Sequence, residues 1–215
     1  MNETMHAAVL EATGPTTNLR WQRVPVPEAS ARHVIVKVQA CAVAYRDIIE
    51  RRGGHPLLQA PIIQGHEFAG EVVACGSEVK RWQPGDRVVN LYTDSCGICG
   101  QCLGGDERRC RNVSEAYGLI NDGGYAEYVR VAERALEALP EDITYEAGAT
   151  LMSACGVGYH NTLHTARVSI GDHVLITGAS GGVGVGALQT AKLLGATVWA
   201  VTSSPHKQRA LEALG

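Results

Sequence analysis

The stretch HVLITGASGGVGVGALQTAKLL, residues 173–194, decides the fold of the second part of the chain. His173–Thr177 reads as a short apolar strand that runs straight into glycine. Gly178, Gly181 and Gly184 then form a G-x-x-G-x-x-G turn, Gly182 adds further freedom, and Gly182–Leu194 carries helical periodicity. Glycines placed this way let a backbone approach a pyrophosphate, whose charge is held by N–H groups at the helix start. The bland alternative is a tight strand–helix turn with no ligand, against which the strand–turn–helix context argues. A P-loop is excluded, because no Gly-Lys-Ser/Thr follows.

Outward from this turn the pattern continues. Thr197–Thr202 is a second apolar strand, and Ser204-Pro205 offers an N-cap with proline at the first helical position. Gly215 stands where a C-cap would be. Upstream, Ala147–Leu163 reads as helical. Strand, glycine turn, helix, strand, helix is the start of a parallel α/β layer. An NAD-binding unit usually ends its second strand with Asp or Glu, which holds the ribose hydroxyls. Here the strand ends Thr202-Ser203-Ser204, with Lys207 and Arg209 following. Hydroxyls and cations suit a 2′-phosphate, so NADP(H) is expected over NAD(H). The plainer reading of Lys207 and Arg209 is a solvated helix face.

Residues 1 to about 150 have a different, mainly β texture. Val34–Ala40 and Phe68–Ala74 alternate like half-buried strands. Pro84-Gly85-Asp86 is a turn before a strand at Arg87–Leu91, and Gly123-Gly124 turns the chain into another at Tyr125–Val131.

Within this part lie Cys96, Cys99, Cys102 and Cys110, spaced C-x2-C-x2-C-x7-C. Four thiolates that close can enclose one tetrahedral zinc ion and leave no position for substrate. Two disulfides would be strained at such short spacings. A ferredoxin-type cluster run closes with a shorter gap and a proline, whereas Cys110 precedes Arg111. The glycines at 97, 100, 104 and 105 let the loop fold back on itself.

The 215 residues are 45% hydrophobic and 19% charged, with a formal net charge of −3. That balance gives no electrostatic case for nucleic acid or anionic membrane. No apolar run approaches a membrane span, and MNETMHAAVL lacks the features of a signal peptide. Cys41, Cys75 and Cys155 are scattered, which fits a reducing, cytoplasmic setting.

Gly65-His66-Glu67, Pro84-Gly85-Asp86-Arg87-Val88, the cysteine lobe, Gly123-Gly124-Tyr125-Ala126-Glu127-Tyr128 and Thr177–Gly184 together resemble the medium-chain dehydrogenase/reductase family. That family includes the zinc alcohol dehydrogenases and the zinc-free quinone and enoyl reductases. The resemblance implies an α/β plus β protein. A GroES-like β-barrel catalytic domain (1–147, with a zinc lobe at about 94–112) would precede the first half of a Rossmann NADP-binding domain (148–215). Chemistry would lie in the cleft between them. On the same resemblance the cofactor contacts fall on Gly178, Ser180, Gly181, Gly182, Val183, Gly184, Thr202, Ser203, Ser204 and Lys207. The substrate would be a small molecule and the protein a homo-oligomer.

One departure matters. Alcohol dehydrogenases of this family hold a second, catalytic zinc with two cysteines and a histidine. His66 stands at the histidine position, with Glu67 beside it. The first cysteine should open C-x-[ST]-D, yet this chain reads Ala44-Tyr45-Arg46-Asp47. Both the ligand and the relay hydroxyl are replaced, and the third ligand falls near Ala154, with Cys155 one residue off. One structural zinc and no catalytic zinc are therefore expected. The Ala-Tyr-Arg-Asp segment is similar to the acryloyl-CoA reductase group.

The implied reaction is hydride transfer from NADPH to a C=C bond conjugated to a carbonyl, in an enoyl-CoA, enone or quinone. Tyr45 would be a proton donor or oxyanion partner, Arg46 an anchor for the carbonyl or a CoA phosphate, and Asp47, His66 and Glu67 polar supports. Each has a plainer reading: Tyr45 as a packed side chain at a strand end, Arg46 paired with Asp47 or Glu50. Two alternatives stand beside this: a zinc alcohol dehydrogenase with a displaced ligand set, and a non-catalytic zinc-binding fragment. Only two Rossmann strands precede Gly215, of the usual six. A truncated chain with an exposed apolar edge and little turnover of its own is the expectation.

Overall fold

The computed structural model describes residues 3–214; the C-cap expected at Gly215 lies outside the described residues. The chain divides into two compact units, Met1–Ala149 and Thr150–Gly215.

The first unit is built on two sheets. Strands β1 (Thr4–Leu10), β2 (Leu19–Pro25) and β4 (Ile62–Ile63) form one, in the order β2-β1-β4. The other runs β10-β6-β5-β3-β9, from β3 (His33–Cys41), β5 (Phe68–Cys75), β6 (Arg87–Asn90), β9 (Tyr128–Ala132) and β10 (Leu136–Ala138). The strands expected near 34–40, 68–74 and 87–91 are all present. The one expected at Tyr125–Val131 begins later, at Tyr128.

The reason is a change of partner. Ala8 N donates to Tyr125 O at 2.8 Å and Glu127 N to His6 O at 3.1 Å, so residues 125–127 lie against β1. From Tyr128 onward the chain pairs with β3 instead. This handover laces the two sheets together. Their largest buried cluster contains Val34, Val36, Phe68, Val72, Val88 and Val131. Each fully buried valine or phenylalanine contributes about 1.5–3 kcal/mol. Val34, Ile35 and Val36 are buried in succession. The first half of β3 is thus covered on both faces and does not alternate as its sequence suggests.

Helix α1 (Tyr45–Arg51) lies between β3 and β4 in the chain. Tyr45 therefore opens a helix and does not end a strand. Asp47 is the third helical residue, and its Oδ2 accepts from Ala44 N at 2.8 Å, closing the helix start. The cysteine loop springs from a small ladder of β7 (Thr93–Asp94) and β8 (Glu115–Ala116), and holds the one-turn helix α2 (Gly100–Leu103).

Helical structure runs from α3 (Tyr145–Thr150) through a π turn at Leu151–Cys155, α4 (Gly156–His160) and a second π turn at Asn161–Thr165. In the second unit β11 (His173–Thr177) and β12 (Thr197–Val201) pair in parallel, joined by α5 (Gly182–Leu193). Gly158 and Gly186 let α4 and α5 cross closely. A Cβ on Gly158 would stand 2.6 Å from Val183 O, and one on Gly186 2.9 Å from Cys155 Cα. Helix α6 (Gln208–Glu212) follows a 3-10 turn at Pro205–Lys207. Proline holds the first position there, but the Ser204 side chain makes no cap hydrogen bond. Its backbone N–H donates instead to Thr202 Oγ1 at 3.2 Å, which ties the turn to the end of β12.

The inner face of this two-stranded sheet packs on α5 through Val174 and Ile176. On the other face Leu175 and Trp199 stand opposite each other, 66% and 58% exposed.

Candidate functional site

Three groups of side chains answer to the residues singled out above: a buried histidine network, the cysteine lobe and the glycine turn. The first forms around His66, 2% exposed, on the loop entering β5. Its Nδ1 donates to Asp47 Oδ1 at 2.9 Å, while Nε2 faces Glu67 Oε1 at 3.8 Å. Asp47, 4% exposed, receives a third bond from the Tyr125 hydroxyl, 2.9 Å from Oδ2. Burial alone would raise the Asp47 pKa. The hydrogen bond and charge of His66, with the bonds from Ala44 N–H and Tyr125, outweigh it, and the net shift is downward. Burial, followed by the charge of Asp47, pushes the Tyr125 hydroxyl well above its ordinary value.

Two side-chain amides hold this network from behind by gripping its backbone. Asn90 Nδ2 donates to His66 O at 2.9 Å, its Oδ1 accepts from Phe68 N at 2.7 Å, and Gln64 Nε2 donates to Asp47 O at 3.2 Å. Gly65 has φ +94°, and a Cβ there would lie 2.6 Å from the Tyr125 ring and 2.8 Å from Cys41 Sγ. Only glycine lets the chain turn into His66 at this point. Cys41 is thus packed beside the network, its thiol pushed up first by burial and then by Asp47. Cys75, on the same sheet, donates to Trp82 O at 3.4 Å.

Arg46 sits one residue before Asp47. Its Nε donates to Glu50 Oε1 at 2.5 Å, and its guanidinium lies 5.6 Å from the centre of the Tyr92 ring. Of the two partners considered for it, Glu50 is the one it takes. Tyr45 is 71% exposed. Asp47, His66 and Glu67 are therefore drawn together in the interior, while Tyr45 stands at the surface of the same short helix.

In the lobe, the Sγ atoms of Cys96, Cys99, Cys102 and Cys110 all lie within 4.8 Å of one another. Cys99 Sγ is 3.5 Å from Cys102 Sγ, and Cys96 Sγ is 3.9 Å from Cys102 Sγ. A tetrahedral ion with ligands at about 2.3 Å separates its sulfurs by about 3.8 Å, so the four thiols fit one zinc. Backbone donors already aim at the sulfurs, Cys96 N at Cys110 Sγ (3.3 Å) and Cys99 N at Cys96 Sγ (3.4 Å). Backbone N–H groups of Arg111 and Cys102 draw the Cys99 thiol down to about 6. Burial, followed by the hydrogen bond with Cys99, pushes Cys102 up to about 12. Among the described residues of the first unit, no other three His, Cys, Asp or Glu side chains converge in this way.

Arg134, just after β9, braces the lobe. Its Nη2 reaches Ser95 Oγ at 3.4 Å and Glu107 Oε1 at 3.5 Å, and its guanidinium fills the space where a Cβ on Gly97 would project. Gly97 has φ +68°, so two separate constraints ask for glycine there.

In the second unit, Gly181 is the N-cap of α5, Gly178 has φ +64°, and a Cβ on Gly184 would stand 2.4 Å from Gly178 O. Ser180 Oγ and Thr202 Oγ1 are 3.2 Å apart, which brings the glycine turn against the end of β12. Ser203 and Lys207 are exposed beside them. The turn, the helix start and the hydroxyl pair thus lie together at the end of the parallel strands.

Sequence reasoning missed Tyr125, Asn90 and Arg134. Asn90 was signalled by a polar residue ending the apolar strand Arg87–Asn90. Tyr125 was signalled by the glycine pair before it. Nothing local marks Arg134.

The family model described as the alcohol dehydrogenase GroES-like domain matches residues 30–141. The chain is 33% identical to the acryloyl-coenzyme A reductase of Sulfurisphaera tokodaii, over 93% of its own length and 59% of that protein's. It superposes on the crystal structure of AibC with a TM-score of 0.93 at 39% identity, covering 99% of this chain and 60% of that one. For the crystal structure of an NAD-dependent alcohol dehydrogenase the values are 0.92 and 35%, covering 98% and 62%. The class is that of the medium-chain oxidoreductases, with a GroES-like domain followed by a Rossmann β-α-β unit. The chain belongs to the alcohol dehydrogenase-like family within it. It spans about three fifths of the length of these relatives. Among the described residues, no helix is long and apolar enough to cross a membrane.

Proposed function

We propose that this protein reduces a C=C bond conjugated to a carbonyl, using NADPH, with one structural zinc and no catalytic metal. The observation that carries the reading is the state of the His66 pocket. Where a metal-binding relative needs a thiolate, Ala44 offers a methyl group, which leaves His66 Nε2 with only the Glu67 carboxylate, 3.8 Å away, as a companion donor. The likeness to acryloyl-coenzyme A reductases supports the same substrate class, an enoyl thioester.

Bound NADPH would supply hydride to the β-carbon of the substrate. Charge then develops on the carbonyl oxygen, where a fixed cation or hydrogen-bond donor stabilises it best. Arg46 is that group in this reading. Glu50 and the Tyr92 ring hold its guanidinium in one place, so little reorganisation is needed at the moment of reaction. The exposed Tyr45 hydroxyl would return a proton, and Asp47, His66, Glu67 and Tyr125 would position the start of α1. Gly178, Ser180, Gly181, Gly182, Val183 and Gly184 would hold the pyrophosphate. Thr202, Ser203, Ser204 and Lys207, with no carboxylate among them, would favour the 2′-phosphate of NADPH over NADH. Cys96, Cys99, Cys102 and Cys110 would hold zinc as a clasp for the lobe. A cytoplasmic setting and a homo-oligomer complete the proposal.

The test is an assay of the full-length gene product. NADPH consumption with acryloyl-CoA that survives a chelator, and falls at least tenfold in Arg46→Gln, supports the reading. Chelator-sensitive oxidation of simple alcohols, with no enoyl reduction, would overturn it in favour of a displaced zinc site.

A further inference from the structure

Where β3 begins, a second hydrogen-bonded chain of side chains runs from the surface to the core. Ser30 is exposed, and its Oγ lies 2.7 Å from His33 Nδ1. The backbone fixes the two together, since His33 N donates to Ser30 O at 2.9 Å and closes a tight turn. On the far side of the imidazole, Nε2 is 2.9 Å from Glu115 Oε1 on β8. Glu115 is itself held: Oε2 accepts from the Tyr117 hydroxyl at 2.6 Å, and Arg130 Nη2 is 3.9 Å from Oε1. Ala132 N donates to the Tyr117 hydroxyl oxygen at 2.9 Å, and Tyr117 is fully buried.

The order of donors decides which way the protons point. Burial, followed by the charge of Glu115, pushes the Tyr117 hydroxyl well above its ordinary value, so it stays a donor to that carboxylate. An ionised Glu115 can only accept, so Nε2 carries the imidazole proton. The neutral ring then turns a lone pair on Nδ1 toward Ser30, whose hydroxyl donates to it. A hydroxyl bonded to a base that a carboxylate orients is the arrangement that activates a serine nucleophile.

We infer that Ser30 is an activated serine and a site of acyl modification, with His33 as its base and Glu115 as the group that orients the base. The acyl donor is an activated ester or thioester. Ser30 Oγ attacks its carbonyl carbon while the hydroxyl proton passes to His33 Nδ1. The Oγ–C bond forms, the bond from that carbon to the alkoxide or thiolate breaks, and the leaving group takes the proton from His33. The transfer needs no oxidant or reductant. None of these residues belongs to the His66 pocket, the cysteine thiols or the glycine turn, so the site stands whether or not the proposed reduction holds.

p-Nitrophenyl acetate tests it on the full-length gene product, loaded with zinc so that the lobe thiols do not compete, with acetylation followed over time by peptide mass spectrometry. Ser30 is expected to be acetylated about tenfold or more faster than the exposed Ser77, an advantage that His33→Gln removes. Glu115→Gln keeps the shape of the side chain but not its charge, and is expected to slow Ser30 about threefold or more. Ser77 is the reference within each variant, and far-ultraviolet circular dichroism checks the fold. Ser30 acetylated no faster than Ser77 in the parent, or at the parent's rate in His33→Gln or Glu115→Gln, would overturn the inference.

Discussion

Two clusters in the first unit are rich in groups that bind metals, and they are built in opposite ways. The cysteine lobe has four sulfurs at metal-sharing distances, but little structure apart from them: one turn of helix, a 3-10 turn at Glu107–Arg109, a two-residue ladder and the brace of Arg134. The His66 pocket is the reverse. Strands, a helix start and Asn90 fix it, and its histidine is satisfied by Asp47. A lobe of this kind would depend on a bound ion for its shape, whereas the pocket is held in shape by protein hydrogen bonds.

That contrast can be broken by mutation. The largest effect is expected in the lobe. Cys99→Ser should abolish zinc binding, removing an interaction worth about 10–16 kcal/mol in small zinc domains. Zinc content measured by mass spectrometry should fall close to zero, with the lobe becoming accessible to protease. Retained zinc would show that three cysteines suffice and weaken the contrast.

Next comes the pocket. His66→Ala leaves Asp47 buried beside a missing partner, a loss of about 3–5 kcal/mol in denaturant unfolding. Zinc content should not change, because no zinc is expected there. A smaller loss, below about 1 kcal/mol, would mean that water replaces the histidine without cost.

Smaller still is the brace. Gly97→Ala should cost about 1–2 kcal/mol through its left-handed backbone, and Arg134→Gln below about 1 kcal/mol, as its ion pair is exposed. Both should speed zinc release to a chromogenic chelator several-fold. Equal release rates would show that Arg134 merely lies against the lobe.

The pocket also predicts a pH dependence of its own. Asp47 has a lowered pKa in the folded state, so its stabilisation is present above the ordinary carboxylate value of 3.8 and is lost as pH falls below it. Asp47→Asn should be less stable at neutral pH yet lose less stability than the parent on acidification below about pH 4. Parallel acid limbs for the two proteins would remove Asp47 from the account.

These regions were not equally legible. The lobe was readable from spacing alone, because four cysteines in fifteen residues constrain one another locally. The parallel strands and the glycine turn were readable too, since their periodicity and the glycine positions are local. The His66 pocket was legible only in part. Ala44 announced a missing ligand, but the Asp47–Tyr125 contact joins residues 78 positions apart. Tyr45 was expected at a strand end, yet it opens a helix whose N-cap, Ala44, has no side-chain oxygen to close it. The cap comes instead from Asp47 reaching back to Ala44 N, a device that shows only when the helix is seen. Likewise, residues 125–127 alternate like the strand that follows. Their pairing with β1 depends on a sheet contributed by the N-terminus.

The most direct test of the central claim is the zinc count per chain, set beside the same count in His66→Ala and Cys99→Ser. The account predicts one zinc in the parent, one in His66→Ala and none in Cys99→Ser. Two zinc ions in the parent, falling to one in His66→Ala, would place a metal in the pocket and contradict it.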